Sequence, residues 1–526
     1  TYDVDFTAPR FDAEGNRVRS DLDGHVVEHT ADLLGRDVRR DLAAGGAIES
    51  VFDPMGRLAQ RRALKPVAGH HPQAGEPAWI GPHRGEVTAH KSFRYSWDGE
   101  LIESTDKDRG STEYRYDPVG QLLAMVPAAA QSALGGGVAS KGGAQAELFR
   151  YDPNGNLYED GPGAEPRVYG PGNRLLRKGK TDYQWDADGN LIEKRTQDPD
   201  LGIDERWQYT WNDAGLMATA TGPELHLEFE YDAFARRLEK RVYQAGANPK
   251  VTKRGALVRK VRFVWDGDVL VHELREEANA KGDPVVEERT YWFEDGGFEP
   301  LAHREKRTDD VGLERGGWFH YVNDPIGTPE RLVDELGEVA AEYRRKAWGE
   351  LEAQSGARAS TPIRLQGQYA DEETGLSYNR WRYYDGNAIG FVSNDRIGLL
   401  GGANSLAWMS NPFRWSDPLG LVGTYDRPSG FRAGVRDSVW NDAIEPATGR
   451  VRDPLTGRFM SRTAPWDMGH RPGYEFRKHR ASAQARGCTR EQFLDEHNDP
   501  SHYRPELPSS NSGHAGEDHS STYLGP

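Results

Sequence analysis

Six of the sixteen histidines of this 526-residue chain fall after Leu421, in about a fifth of its length, where proton transfer or metal ligation becomes possible. His470 follows Gly469, a residue without a side chain that lets the backbone approach a phosphate, and is placed to act as a general base. Asp467, three residues earlier, could give an oxygen ligand to Mg²⁺ or a similar hard cation, or orient the histidine. If residues 510–518 are helical, Asn511, His514 and Glu517 stand at i, i+3 and i+6 and share one face, which would close a metal site from the other side. Arg471, Arg477 and Lys478, with Arg480 and Arg486, could contact phosphates. Glu475 and Glu506 rank behind these, as groups that orient others or neutralise a buried cation. His479, His497, His502 and His519 are expected at the surface, and the one thiol, Cys488, in ordinary packing.

Those residues need elements to hold them. VRDPLTGRFM, from Val451, reads as a hairpin turning at Asp453–Gly457. A helix is expected from Tyr474 to Arg486, stopped by Gly487, and a second one, capped by Thr489, over Glu491 to His497. The charge also divides here. The chain carries −16 overall, yet residues 422–526 hold fourteen basic and fourteen acidic groups, so residues 1–421 carry 53 basic against 69 acidic. Net charge alone argues against a nucleic-acid partner, but the neutral tail leaves room for an arginine-lined phosphate site. A single cysteine excludes disulfide scaffolds and Cys-Cys zinc sites, and no run of about 20 apolar residues offers a membrane span. The opening TYDVDFTAPR has no initiator Met and reads as part of something longer.

The long first part repeats one phrase: FDPMGRL from Phe52, YDPVGQL from Tyr116, YDPNGNL from Tyr151, WDADGNL from Trp185 and, more loosely, WNDAGLM from Trp211 and WDGDVL from Trp265. Each reads as a hairpin corner, with Asp and Pro presetting a turn and Gly taking its positive φ. The stretches between alternate with the period of a strand, so the first 380 residues are expected to be mostly β. Leu64–Gly85 and Met125–Gly143 look like irregular insertions between units. The phrases resemble the tyrosine-aspartate repeats of RHS proteins. That resemblance implies a hollow β-shell enclosing a C-terminal polypeptide; an exposed, structural or adhesive repeat array with a capping tail is the rival.

From Leu376 to Leu421 the chain resembles the core signature that closes RHS shells, with RYYD, NDRIGL and a final SDPLGL. Gly386 and Arg396 stand where that family usually has Pro, and Ser405-Leu406 replaces a more aromatic pair. The resemblance implies self-cleavage at Leu421–Val422 by Asp395 and Asp417, one carboxyl ionised to activate water and one protonated to protonate the amide. Arg396 could hold Asp395 ionised. Both aspartates could instead be turn residues.

The tail resembles the GH-E family of the HNH and endonuclease VII superfamily, through WDMGHRPGYEFRKHR, EQFLDEHNDPSHYRPELPSSNSGH and Glu517. This implies a ββα-metal nuclease, with Mg²⁺ expected and Zn²⁺, Mn²⁺ or Ni²⁺ as alternatives, acting on DNA or, alternatively, RNA. The whole is therefore expected to be mainly β: a repeat shell over 1–375, a self-cleaving segment over 376–421, and a small α+β nuclease over 422–526. By resemblance it is an interbacterial toxin delivered by a secretion system of type VI kind. Its expected partners are a cognate immunity protein and a secretion component or chaperone engaged through a missing N-terminal region.

Overall fold

The computed structural model describes residues 6–421 and 434–525 apart from short internal stretches, of which 67–84, 131–144, 247–253 and 511–522 are the longest. Strands dominate. Twelve of them, from Phe6–Phe11 to Leu157–Asp160, form one sheet in which every strand pairs with its neighbours in sequence. Sixteen more, from Arg167–Tyr169 to Leu351–Ser355, form a second sheet of the same kind, and four short strands between Tyr369 and Phe391 form a third. All described pairings within these sheets are antiparallel, so the shell is a continuous meander in which each corner need only reverse the chain. Both expected insertions lie between paired neighbours: Leu58–Pro66 pairs with Gly85–Tyr95, and Leu122–Pro127 with Glu147–Tyr151. Residues 67–84 and 131–144 of them lie outside the described residues.

The repeated phrase has a bonding logic at both ends. At the corner, the Asp carboxylate accepts two backbone N–H groups, from the second and fourth residues after it. Asp53 takes Met55 and Arg57, Asp117 takes Val119 and Gln121, and Asp152 takes Asn154 and Asn156, at distances from 2.8 to 3.0 Å. At the other end, the aromatic donates to the main-chain carbonyl that closes an earlier phrase. Tyr151 Oη reaches Leu122 O at 2.9 Å, Trp211 Nε1 reaches Leu191 O at 2.8 Å, and Tyr231 Oη reaches Met217 O at 2.8 Å. Tyr and Trp exchange freely in the phrase because each is a large apolar ring with one donor at its tip. Tyr151→Phe removes one such bond and little else. It is expected to lower the free energy of unfolding by about 1 kcal/mol, read from denaturant titration of the cleavage-dead chain.

The structure adds a corner that the phrase does not display. Tyr231-Asp232 is followed by Ala235 where a glycine would stand, and Ala235 takes φ 60° while Asp232 still accepts from Phe234 and Arg236.

The third sheet lies between the other two. Tyr383 packs into the core formed with the second sheet, beside Phe229 and Leu376, whereas its neighbour Tyr384 packs into the core formed with the first, beside Leu122 and Trp348. Successive side chains of a strand point to opposite faces, so the RYYD strand, Arg382–Asp385, is buried on both sides. The sheet starts at Tyr369, ahead of the expected boundary at 375/376. This segment thereby fixes the aspartates of the junction in a rigid interior.

After the shell come the helices Val435–Asp442, Phe476–Arg486 and Arg490–His497, a two-stranded pair of Val451–Arg452 with Phe459–Met460, and a second pair of Asp467–His470 with Tyr503–Glu506. A small core of Val439, Trp440, Val451, Met460, Trp466, Met468 and Tyr503 joins the first helix to the two strand pairs, and Phe476, Ala483 and Phe493 pack the other two helices together. The hairpin turns where expected, with Gly457 N donating to Asp453 O at 2.9 Å. The first of the two expected helices starts two residues late, at Phe476. Gly487, Cys488 and Thr489 lie outside the described residues. No helix among the described residues is long and apolar enough to cross a membrane.

Candidate active sites at the junction and in the tail

Asp395 and Asp417 converge on one cation. Both carboxylates reach the same nitrogen, Nη2 of Arg382, at 2.9 and 3.5 Å, and all three side chains are almost fully buried. Each is also a corner residue: Asp395 accepts from Ile397 N at 3.0 Å and Asp417 from Leu421 N at 2.8 Å. The turn reading therefore holds for both residues, and the same two carboxylates share Arg382. The corner bond of Asp417 ends on Leu421 itself. Val422 lies outside the described residues.

The cation differs from the one expected. Arg396 is exposed, its guanidinium 4.7 Å above the ring of Trp381, and the group set between the carboxylates is Arg382. Arg382 also donates Nε to Gly420 O at 2.5 Å and Nη1 to Ser405 O at 2.7 Å, and it lies 3.5 Å above the ring of Phe391. Burial draws its guanidinium below the ordinary value, against the pull of Asp395 and Asp417. The sequence contained the signal, an arginine in a strand buried on both faces, since such a cation requires carboxylates nearby.

In the tail, strands more than thirty residues apart in sequence place His470 opposite Tyr503 and Asp467 opposite Glu506. His470 is half-buried, its ring 4.9 Å from that of Tyr503; Asp467 is half-buried too. A Cβ at Gly469 would fall 2.3 Å from Glu506 Cδ, so the missing side chain makes room for that buried carboxylate. Arg504 donates to that carboxylate at 2.6 Å. Ser510, buried, donates its hydroxyl to Asp453 Oδ2 at 2.9 Å. Asp453, fully buried, also accepts from Thr456 N and Leu507 N, and so ties the hairpin to the stretch that follows the second strand pair. Burial pushes its carboxyl up, but those bonds hold it below the usual range. In the sequence Asp453 is legible only as a turn residue.

Asn511, His514 and Glu517 lie outside the described residues. Among the described residues no group of three or more His, Cys, Asp and Glu could hold a metal. The described part offers Asp467 as one hard oxygen donor, a fit in kind for a cation such as Mg²⁺.

Several expected roles need correction. Lys478 is buried and paired with Glu475 at 3.1 Å, so it neutralises a carboxylate in the interior and does not meet phosphate. Glu475 accepts from Gly473 N at 3.1 Å and so holds the loop after His470 as well. Arg471 is exposed, with Nε on Tyr503 O at 2.9 Å. The side chain of Arg477 lies outside the described ones. His479, His497 and His502 are buried, not superficial. His479 stacks on Phe493, ring centroids 4.3 Å apart, and meets Glu496 at 3.1 Å.

Burial lowers the His479 pKa to about 4, against Glu496, which raises it. A histidine depressed on folding contributes fully above its unfolded pKa near 6.5 and loses that contribution as the pH falls from there to about 4. The tail is expected to lose on the order of 3 kcal/mol across this window. Unfolding followed from pH 7.5 to 4.5 checks it, and His479→Gln should flatten the slope.

Two family models match. The teneurin YD-shell matches residues 100–247, and the HNH/ENDO VII superfamily nuclease with conserved GHE residues matches 448–517. Among curated relatives, double-stranded DNA deaminase toxin A of Burkholderia cenocepacia is 32% identical over 76% of this chain and 27% of its own length. Toxin protein Tse5 of Pseudomonas aeruginosa is 31% identical over 74% and 30%, and the probable deoxyribonuclease RhsA of Dickeya dadantii 28% over 76% and 24%. The chain therefore spans under a third of the length of these relatives. The matched share of this chain is far more than its last 105 residues could supply, so the repeat region carries it. The relatives' names assign unlike chemistries, deamination and DNA cleavage, so likeness in the repeats does not determine what a tail does. The tail has its own match, and with the corners and the junction beside it the chain belongs to the RHS-repeat toxin family and carries, over residues 448–517, a domain of the HNH/ENDO VII nuclease superfamily.

Proposed function

We propose that this chain is the effector end of an antibacterial RHS toxin, in which the shell encloses a metal-dependent endonuclease that cuts DNA and is freed by self-cleavage after Leu421. The observation that carries the nuclease reading is the strand pair that sets His470 opposite Tyr503 and Asp467 opposite Glu506, inside the stretch similar to the HNH/ENDO VII superfamily. His470 would take a proton from water as its oxygen attacks phosphorus. Asp467, with Asn511, His514 and Glu517, would hold a divalent cation, Mg²⁺ by the hardness of the oxygen donors. When bound, such an ion stabilises charge on the scissile phosphate and the leaving oxygen. Arg471 and Arg477 are the remaining candidates for flanking phosphates.

At the junction, Arg382 stands nearer Asp395 and would keep it ionised as the base, leaving the second proton on Asp417. Water adds to the Leu421 carbonyl carbon and gives a proton to Asp395. Asp417 protonates the nitrogen of Val422, the C–N bond breaks, and a Leu421 carboxyl and a Val422 amine result.

Delivery through a secretion system into a target cell, docking on a secretion component or chaperone, and an immunity protein that protects the producer complete the proposal. Incubating the chain with supercoiled plasmid and Mg²⁺, with and without chelator, tests its centre. Nicking that chelation abolishes supports a metal-dependent DNase, and cleavage of RNA alone would redirect the substrate.

A further inference from the structure

The turn that precedes Arg382 grips the segment that leads to the bond that would be cut. Register pairs Asn379 with Arg382 across a two-residue loop. Arg380, within it, has φ 53°, a left-handed backbone that costs a non-glycine residue about 1 kcal/mol, and its guanidinium is held by Asp268 at 2.8 Å. This turn aims three donors at one short stretch. Asn379 Nδ2 donates to Asp417 O at 2.7 Å, Trp381 N to Leu419 O at 3.2 Å, and Arg382 Nε to Gly420 O at 2.5 Å. Gly420 rests directly on the turn, since a Cβ there would lie 2.7 Å from Asn379 O.

Asn379 is fully buried, and its Oδ1 has no partner among the described residues. Such an unpaired oxygen costs about 1–3 kcal/mol, so a purely apolar packing role would be better filled by a residue without it. What the amide provides is its donor, on the carbonyl of the residue whose own carboxyl belongs to the pair. The rotation of that corner sets where the Asp417 carboxyl points and where Leu421, bonded to it, lies.

We infer that Asn379 is a positioning residue for self-cleavage, orienting the Asp417 corner through its main-chain carbonyl; this rests on the self-cleavage reading above. The full chain is expressed in pulses as wild type, Asp417→Asn, Asn379→Ala and Asn379→Asp, and the intact fraction is followed over time and pH by denaturing gel and mass spectrometry. Asn379→Ala is expected to accumulate intact chain and cleave about tenfold more slowly, the worth of one hydrogen bond. Asn379→Asp is expected to be slower still near neutrality, where an ionised carboxylate faces a carbonyl. It should gain on Asn379→Ala as the pH falls and its new carboxyl, once protonated, donates to that carbonyl. Wild-type cleavage rates in Asn379→Ala, or a ratio of the Asp to the Ala variant that is constant across pH, would overturn the inference in favour of simple loosening of the fold. A wild type that stays intact, like Asp417→Asn, removes the self-cleavage reading and this inference together.

Discussion

Asp417→Asn is expected to run as one intact band near 58.8 kDa, and the wild type to separate into a 421-residue shell and a 105-residue tail. The substitution isolates chemistry from architecture because asparagine is already a corner residue in this chain. Asn212 accepts from Ala214 N and Leu216 N at 3.0 Å, the same two-bond pattern that the corner aspartates use. The amide oxygen introduced by Asp417→Asn would therefore still receive Leu421 N–H and keep the corner closed. What the variant loses is the exchangeable proton that the leaving amine of Val422 needs. Removing one member of an acid–base pair typically costs about 10²–10⁴-fold in rate, enough to turn complete processing into none on the time scale of expression. Asp395→Asn should fail equally, because its loss leaves nothing to take the proton of the attacking water. Processing that survives both substitutions would assign the cut, if any, to an outside protease. Unchanged thermal unfolding of the two variants would show that the shell, with its corners intact, is not the source of the defect.

The junction and the repeats show what a sequence can and cannot display. Corners written Asp-x-x-Gly are legible because both special residues are local: the carboxylate bonds within four residues and the glycine supplies its own φ. Tyr231-Asp232 escaped the pattern because Ala235 adopts the glycine conformation, held there by a core in which it is 2% exposed. Arg396 looked like the partner of Asp395 through adjacency, yet adjacent residues of a turn need not face one another. Arg382 reaches both aspartates from a different strand. In the tail, the hairpin and the two helices follow from turn residues and stops. The pairing of Asp467–His470 with Tyr503–Glu506 does not, because the intervening helices hide a register fixed only by tertiary packing. The buried histidines were misjudged for a related reason. A polar, aromatic residue is at home either in water or in a core that supplies Glu496 and Phe493, and nothing local distinguishes the two.

His470→Ala is expected to abolish DNA cleavage by the processed chain, lowering the rate by about 10²–10⁴-fold, and to relieve growth arrest when the toxin is expressed without protection. The position makes this a test of chemistry. His470 ends its strand, pairs with Tyr503 through main-chain groups that alanine keeps, and is only half-buried, so its removal leaves no large cavity. His502 supplies the contrast. It is buried, stacked on Tyr474 with ring centroids 4.6 Å apart, and burial holds its pKa below the ordinary histidine value. His502→Ala should therefore lower the unfolding midpoint while sparing turnover at temperatures where the tail stays folded. Asp467→Asn should fall between the two, with activity partly restored by raising Mg²⁺, because weakening one oxygen ligand raises the metal requirement before it removes the base. If His470→Ala cuts plasmid as fast as the wild type while His502→Ala does not, the base is on the wrong histidine. The strand pair would then support the fold of the tail and not its chemistry.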